Sequence, residues 1–174
     1  MKTLNQNSFD TLLQDAGIKS RLRKDLKFVA STAHLIDSWN EYELLCIADR
    51  TNDKGVLLLQ PASTLFVAPY ELSRTIVDSK TGRQRAIICD FCYTWQPGSN
   101  AASITFTHPD DKRHIRFLCC GDLKCSQHVR TITSASIVSR SQLRENLSNE
   151  DRVERLKMKI TELIDHIGAR STTS

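Results

Sequence analysis

The amino-acid sequence predicts an α+β fold in which β-hairpins and flanking helices surround a metal site. Three observations predict it. Five of the six cysteines fall within residues 86–130. Several short segments before and between the cysteine pairs read as strands, because they alternate apolar and polar residues or are continuously apolar. The C-terminal region instead repeats apolar residues three and four positions apart, as an amphipathic helix does.

The cysteines of residues 86–130 form two closely spaced pairs. Cys89 and Cys92 make a C-x2-C pair, twenty-seven residues lie between Cys92 and Cys120, and Cys120 makes a C-x4-C pair with Cys125. Zn2+ prefers four soft or borderline ligands in a tetrahedron, and each pair supplies two of them from one turn. The spacing therefore predicts one structural zinc bound by these four cysteines.

Two neighbouring side chains leave the ligand set open at this point. Cys119 and Cys120 are adjacent, so on a strand they point to opposite faces. Cys119 is in phase with Ile115 and Phe117, which favours Cys120 as the ligand and Cys119 as a buried thiol. His128 follows the last cysteine by three residues on the same face of a helix, and it could replace one thiolate.

The segments around the cysteines predict a treble clef. Residues 87–88 enter the first pair as a strand, and residues 103–107 alternate apolar and polar up to a turn at 108–111. The return strand carries Ile115, and a helix can start at Cys125. A knuckle, a hairpin and a last ligand at a helix N-terminus follow one another in treble-clef fingers. The amides of that helix end stabilise a thiolate.

The strings IICDFC and FLCCGDLKCSQ resemble the C-terminal treble-clef domain of the elongation factor G-binding proteins. That family includes the fusidic-acid-resistance proteins FusB and FusC and many shorter bacterial relatives. The likeness covers roughly residues 35–168 and is strongest from 85 to 130. It extends to two further features, namely Asp122-Leu123 before the last cysteine and, with small shifts, a late pattern of Ser148, Glu150, Arg152, Arg155 and Leu156.

The resemblance implies a zinc ion bound by Cys89, Cys92, Cys120 and Cys125. It also implies a non-enzymatic protein that binds elongation factor G, on or off the ribosome. Drug resistance is a weaker implication, because FusB-type proteins carry a much larger helical N-terminal domain than the sequence before this finger provides.

Composition and charge restrict the class of protein. Of 174 residues, 40% are hydrophobic and 25% are charged, as in soluble globular domains. The net charge of +4 favours acidic partners or RNA. The first residues contain no signal-peptide pattern, and no stretch approaches the ~20 apolar residues of a membrane helix. We therefore expect a cytoplasmic protein, in which paired cysteines bind metal rather than form disulfides.

The N-terminal part, residues 1–34, is predicted to be a basic helical segment that precedes a single α+β domain at 35–174. A helix over 8–16 has Ser8 as N-cap and ends before Gly17. A second helix starts at Ser20, with an apolar side formed by Leu22, Leu26, Val29 and Ala30. Its other side is basic and is either a solvated face or a contact for RNA phosphates or an acidic protein.

The region between this segment and the finger is predicted to be mainly β-structure. The apolar run 42–48 pairs with 56–59 across a turn at 52–55. A short strand follows at 64–67, whereas 70–78 is compatible with a helix or a strand. A polar, basic connection, 79–85, leads into the first cysteine pair. Trp39 and Trp95 are predicted to be packing residues.

A C-terminal amphipathic helix is predicted at 149–167. Ser148 with Asp151 resembles a capping box, and Gly168 ends the helix. Its apolar stripe consists of Val153, Leu156, Ile160, Leu163, Ile164 and Ile167. We expect this stripe to pack on the domain core, with homodimerisation as the alternative.

The function predicted from these features is binding rather than catalysis. A four-cysteine site leaves zinc no water to activate, and the sequence lacks the common catalytic motifs. The first hypothesis is a zinc protein that binds elongation factor G, the ribosome or both. The alternative is an RNA- or ribosome-binding zinc module, favoured by the basic stretches 19–27 and 79–85 and by five basic residues around the finger, namely Lys112, Arg113, Arg116, Lys124 and Arg130. A second alternative is a thiol redox or zinc sensor that uses Cys119 as a spare thiol.

Overall fold

The computed structural model describes residues 6–26, 42–110 and 112–171 and contains both helices and an antiparallel sheet. The described helices are α1 (Gln6–Asp15), α2 (Ser20–Asp25), α3 (Cys125–Val129), α4 (Ser134–Leu143) and α5 (Asn149–Ile167). The described strands are β1 (Leu44–Ala48), β2 (Lys54–Leu59), β3 (Phe66–Ser73), β4 (Ile87–Ile88), β5 (Trp95–Gln96), β6 (Ala101–Thr107), β7 (His114–Cys120) and β8 (Arg170–Ser171). The predicted α+β fold with hairpins and flanking helices is confirmed.

The main sheet has the strand order β1-β2-β3-β6-β7, with every neighbouring pair antiparallel. The first two residues of β3 also pair with β8, and strands β4 and β5 form a separate two-stranded ribbon. Gly55 of β2 lies between Ala48 of β1 and Tyr70 of β3, where no side chain fits. A Cβ added there would lie 2.3 Å from the carbonyl oxygen of Ile47 and 2.7 Å from the hydroxyl of Tyr70.

Alternation along the strands gives the sheet two apolar faces. Val56 and Leu58 of β2 face α1, where they share a buried cluster with Phe9. Leu57 and Leu59 face the other way and join the cluster that contains the buried face of α5 and the cysteines. Since successive side chains on a strand point to opposite faces, the continuous apolar run of β2 is explained by burial on both sides.

The N-terminal half agrees with the sequence expectations in type and less closely in its boundaries. The hairpin expected from 42–48 and 56–59 is formed by β1 and β2. The strand expected at 64–67 extends further, to Ser73, which resolves the ambiguous start of 70–78 as strand. Helix α1 begins two residues before Ser8, and Gly17 follows its end with a φ of 70°.

Part of the N-terminal prediction falls on residues outside the described ranges. Val29, Ala30 and Trp39 lie there, and so does the predicted domain boundary between residues 34 and 35. Within the described ranges, none of the helices is both long and apolar enough to cross a membrane.

The C-terminal helix begins and ends where the sequence predicts. The Ser148 side chain accepts from the amide of Asp151, and the Asp151 side chain accepts from the amide of Ser148, so the capping box is complete. Gly168 is in the left-handed region with a φ of 60°. Leu156, Ile160 and most of the remaining stripe are buried in the core, as expected for a helix docked on the domain.

The sequence did not predict helix α4, because polar side chains of this helix face the protein and apolar ones face solvent. Ser136 and Ser139 face the protein and are buried, whereas Ile137 and Val138 are 60% and 46% exposed. The Ser139 hydroxyl accepts the amide of Trp95 at 2.7 Å, which places α4 against β5. An apolar periodicity search does not detect a helix that packs through serines.

Candidate metal centre

The first cysteine pair lies in a tight knuckle between β4 and β5. The amide of Cys89 donates to the carbonyl of Thr94 at 3.0 Å, and the amide of Tyr93 donates back to the carbonyl of Cys89 at 2.9 Å. Tyr93 takes a φ of 57°, in the left-handed region, and this residue directs the chain from the second cysteine back into β5. Asp90 anchors the knuckle to β7, because its carboxylate accepts the amide of Leu118 at 2.6 Å.

The second pair lies at the junction of β7 and α3. Cys120 ends β7 and Cys125 is the first residue of α3, as the treble-clef order predicts. The turn between them is closed by the amide of Leu123, which donates to the carbonyl of Cys120 at 3.1 Å while Leu123 adopts a φ of 52°. The amide of Gly121 donates to Asn100 at 2.7 Å and fixes this turn to the start of β6.

These two turns bring four thiols together in the protein interior. The Sγ atoms of Cys89, Cys92, Cys120 and Cys125 all lie within 4.8 Å of one another, and all four residues are buried. Two of the separations are 3.9 Å, from Cys89 to Cys125, and 3.5 Å, from Cys92 to Cys120. A Zn–S bond of about 2.3 Å in a tetrahedron requires sulfurs about 3.8 Å apart. The donor chemistry and the spacing therefore fit one zinc ion.

The four thiols also interact as acids and hydrogen-bond partners. Burial disfavours the Cys89 thiolate, but hydrogen bonds from Cys120, Cys125 and Cys92 outweigh burial and hold the pKa of Cys89 well below its usual value. The pKa of Cys125 is raised well above its usual value by its hydrogen bonds to Cys120, Cys89 and Cys92 and by burial, and that of Cys120 is raised as well, because the lowering effect of Cys125 is outweighed by its bonds to Cys89 and Cys92. Without metal the negative charge is therefore concentrated on Cys89, and a bound cation is needed to stabilise further thiolates, the form that binds zinc.

Cys119 points away from this cluster. It is fully buried, belongs to the apolar core and lies opposite Ala102 in the β6–β7 ladder. Burial raises the pKa of its thiol, and negative charge at Cys89 and Cys92 raises it further. Cys119 is therefore a poorly ionised core thiol, which agrees with the alternation argument made from the sequence.

His128 lies beside the cluster with both ring nitrogens engaged. Nδ1 is 2.6 Å from the hydroxyl of Thr133, and Nε2 is 3.2 Å from the carboxylate of Asp122. Cys120, Asp122 and His128 could themselves hold a metal, since their ligand atoms lie within 4.8 Å of one another. Burial opposes ionisation of Asp122, but its interactions with His128, the amide of Lys124 and the side chain of Asn100 together outweigh burial and lower the pKa of the carboxyl. The sequence reasoning considered His128 only as a substitute ligand and missed this network.

Arginines fasten helix α5 to the end of α3 and to the knuckle. Arg152 is fully buried, donates to the carbonyl of His128 at 3.2 Å and to the hydroxyl of Thr131 at 3.0 Å, and pairs with Glu145 at 3.3 Å. One turn later, the guanidinium of Arg155 lies 4.7 Å from the centre of the Tyr93 ring in the knuckle. The late arginine pattern noted in the sequence is therefore part of the support of the metal centre.

A comparison with protein-family models matches residues 21–167 to one family, the FBP C-terminal treble-clef zinc-finger. The match includes both cysteine turns and the whole of α5. No curated protein and no solved structure gave a significant match to the chain.

Proposed function

Because the chain belongs to the FBP C-terminal treble-clef zinc-finger family, we propose that it is a binding protein for elongation factor G whose zinc ion has a purely structural role. The family is that of the FusB and FusC type, and a structural zinc is the cofactor of its fold. The family match carries the proposed factor binding, and the closed, buried cluster of four thiols carries the proposed structural role of the zinc.

The proposed zinc ligands are Cys89, Cys92, Cys120 and Cys125. Two facts support this set over the alternatives left open by the sequence. Cys119 is not among the four thiols whose Sγ atoms lie together, and both nitrogens of His128 already have hydrogen-bond partners. Asp122 and His128 instead hold the turn and the helix that present the second pair, as outer partners of a metal site commonly do.

The same cluster argues for binding rather than catalysis. Four protein sulfurs complete the tetrahedron of zinc, so no position remains for a water or a substrate. All four cysteines are at most 1% exposed, which also separates the metal from solvent. The binding free energy of the ion then stabilises the fold, on the order of 10 kcal/mol in small zinc modules.

An exposed apolar patch on α4 offers a surface for the protein partner. Ile132 and Ile137 occupy the positions before the N-cap and one turn inside the helix, which a hydrophobic staple brings together. They nevertheless remain 69% and 60% exposed, and Val138 extends the patch. A helix that buries serines and exposes isoleucines loses folding stability, and this cost is explained if a partner covers the isoleucines.

The proposal is tested with purified, zinc-loaded protein and purified elongation factor G. We expect a stoichiometric complex by isothermal titration or sedimentation at micromolar concentrations. The double variant Ile132→Ser with Ile137→Ser is expected to weaken it at least tenfold, because two apolar anchors are lost from the interface.

The matched control is Met158→Ser on α5, which removes an equally exposed apolar side chain from a different surface. It is expected to leave the affinity within twofold of the wild type. Absence of a complex at about 100 µM would refute factor binding at the affinities typical of specific protein complexes. A complex that tolerates both isoleucine substitutions would exclude the α4 patch and retain factor binding.

A further inference from the structure

Residues 76–85 form a short hairpin between β3 and β4, which we name the basic hairpin. Val77 and Gln84 pair across an isolated antiparallel bridge. Backbone hydrogen bonds of 2.8 Å and 3.0 Å join the residues on either side of this pair. The segment that the sequence predicts as a polar, basic connection is therefore an ordered projection rather than an irregular linker.

The only carboxylate of the basic hairpin is used to build its tip. One oxygen of Asp78 accepts the amides of Lys80 at 3.0 Å and Thr81 at 2.9 Å, and also the Thr81 hydroxyl at 3.1 Å. Gly82 closes the turn with a φ of 64°, and its amide donates to the carbonyl of Asp78 at 2.8 Å. The negative charge of Asp78 is thus directed towards backbone amides.

The base of the basic hairpin is held against the rest of the protein at Gly98. A Cβ on Gly98 would lie 2.7 Å from the Cβ of Gln84 and 2.8 Å from the carbonyl oxygen of Gln84, so the two backbone segments are in contact there. Side chains alternate along an extended segment, so Arg83 and Arg85 point to the side opposite Gln84, about 6.6 Å apart along the strand.

Three cations therefore project from this support into solvent. Lys80, Arg83 and Arg85 are all exposed. Within the described part of the chain, none of the three cationic groups lies within 4.0 Å of a carboxylate oxygen, in contrast to Arg74, which binds Asp53 at 3.0 Å. The charge of Arg85 contributes to the lowered pKa of Asp78 only after the hydrogen bonds from Thr81 and Lys80. Their charge is available to a partner.

We propose that the basic hairpin is a binding site for the phosphate backbone of RNA. Guanidinium groups donate paired hydrogen bonds to phosphate, and two arginines on one face of a strand can follow a run of phosphates. The core of a protein interface is instead apolar and depleted in charge, whereas the basic hairpin exposes one large apolar residue, Val77. Such contacts position RNA without reading its sequence.

The test measures binding of a fluorescent single-stranded uridine 20-mer to the full-length, zinc-loaded chain by anisotropy over a range of KCl concentrations. Replacing Lys80, Arg83 and Arg85 together by Gln is expected to lower the affinity at least tenfold at low salt. It should also reduce the slope of log affinity against log salt by about 2, since three phosphate contacts to single-stranded RNA contribute about 0.7 each.

A matched triple variant distinguishes a site from general positive charge. Lys112, Arg113 and Arg116 are also exposed and lie on the β6–β7 hairpin, and their replacement by Gln changes the net charge equally. This control is expected to retain RNA affinity within about twofold.

Three outcomes would overturn the proposal, and none depends on elongation factor G. They are equal losses in the two triple variants, competition by polyglutamate as strong as by unlabelled RNA at equal charge, and no binding by the wild type at about 100 µM in low salt. Zinc content and circular dichroism of each variant show that the fold is retained.

Discussion

Two arginines one turn apart on α5 share the carboxylate of Glu145 but differ in burial, and this difference predicts different costs of removal. Arg152 is fully buried and Arg155 is 23% exposed. We predict that Arg152→Met lowers the free energy of unfolding by about 3 kcal/mol. The buried carbonyl of His128 and the hydroxyl of Thr131 each lose a charged donor, at about 1.5–3 kcal/mol for each such hydrogen bond.

The full cost of breaking a buried ion pair, about 3–5 kcal/mol, is an upper bound here. Glu145 remains paired with Arg155 at 2.6 Å, and the methionine fills part of the space left by the arginine stem. Arg155→Met is predicted to cost about 1 kcal/mol, because it removes one partly exposed ion pair and the contact with the Tyr93 ring.

The assay is urea unfolding followed by circular dichroism at a fixed, saturating zinc concentration, since zinc release is coupled to unfolding. The comparison between the two variants cancels that common contribution. Equal costs for Arg152→Met and Arg155→Met, or a larger cost for Arg155→Met, would refute the reasoning that burial of the guanidinium makes the α5 contact important.

Three further predictions concern other parts of the fold. Ser126→Ala removes the buried hydroxyl that accepts hydrogen bonds from the amides of Glu43 and Leu44, each at 3.1 Å. It is expected to lower the free energy of unfolding by about 1–3 kcal/mol and to speed hydrogen exchange of both amides. Gly98→Ala places a Cβ against the backbone of Gln84 and is expected to destabilise the protein by about 1–3 kcal/mol. It should also speed amide hydrogen exchange in the basic hairpin, and an unchanged exchange rate there would contradict the close contact. Burial raises the pKa of the Cys46 thiol from 9.0 to about 11, so this thiol stabilises the fold fully below pH 9 and progressively less as pH rises towards 11. Unfolding measured across that range should show a smaller pH dependence in Cys46→Ala, and an equal dependence would exclude this contribution.

The sequence was most informative where one local pattern determines the structure. The ends of α5 were predictable, because a capping box and a terminal glycine mark them and an uninterrupted apolar stripe lies between. The cluster of Cys89, Cys92, Cys120 and Cys125 was predictable from spacing. The inward orientation of Cys119 followed from strand alternation alone.

Features that depend on contacts between distant segments were not predictable in this way. Helix α4 packs through serines, so it has no apolar period to detect. The partners of Arg152 come from two segments, 128–131 and the loop that contains Glu145. The bidentate pairing of Arg130 with the buried Glu43 joins residues 87 positions apart. The ordering of the basic hairpin depends on its close contact with Gly98, which the sequence of the loop does not reveal.

The central claim is that one zinc ion is bound by four sulfurs from two separate turns. X-ray absorption at the zinc edge of the purified protein, together with its metal content, tests this claim most directly. We predict one zinc per chain and a first shell of four sulfurs at about 2.3 Å, with no nitrogen or oxygen ligand. A shell containing a nitrogen ligand at about 2.0–2.1 Å, or a zinc content well below one, would contradict it.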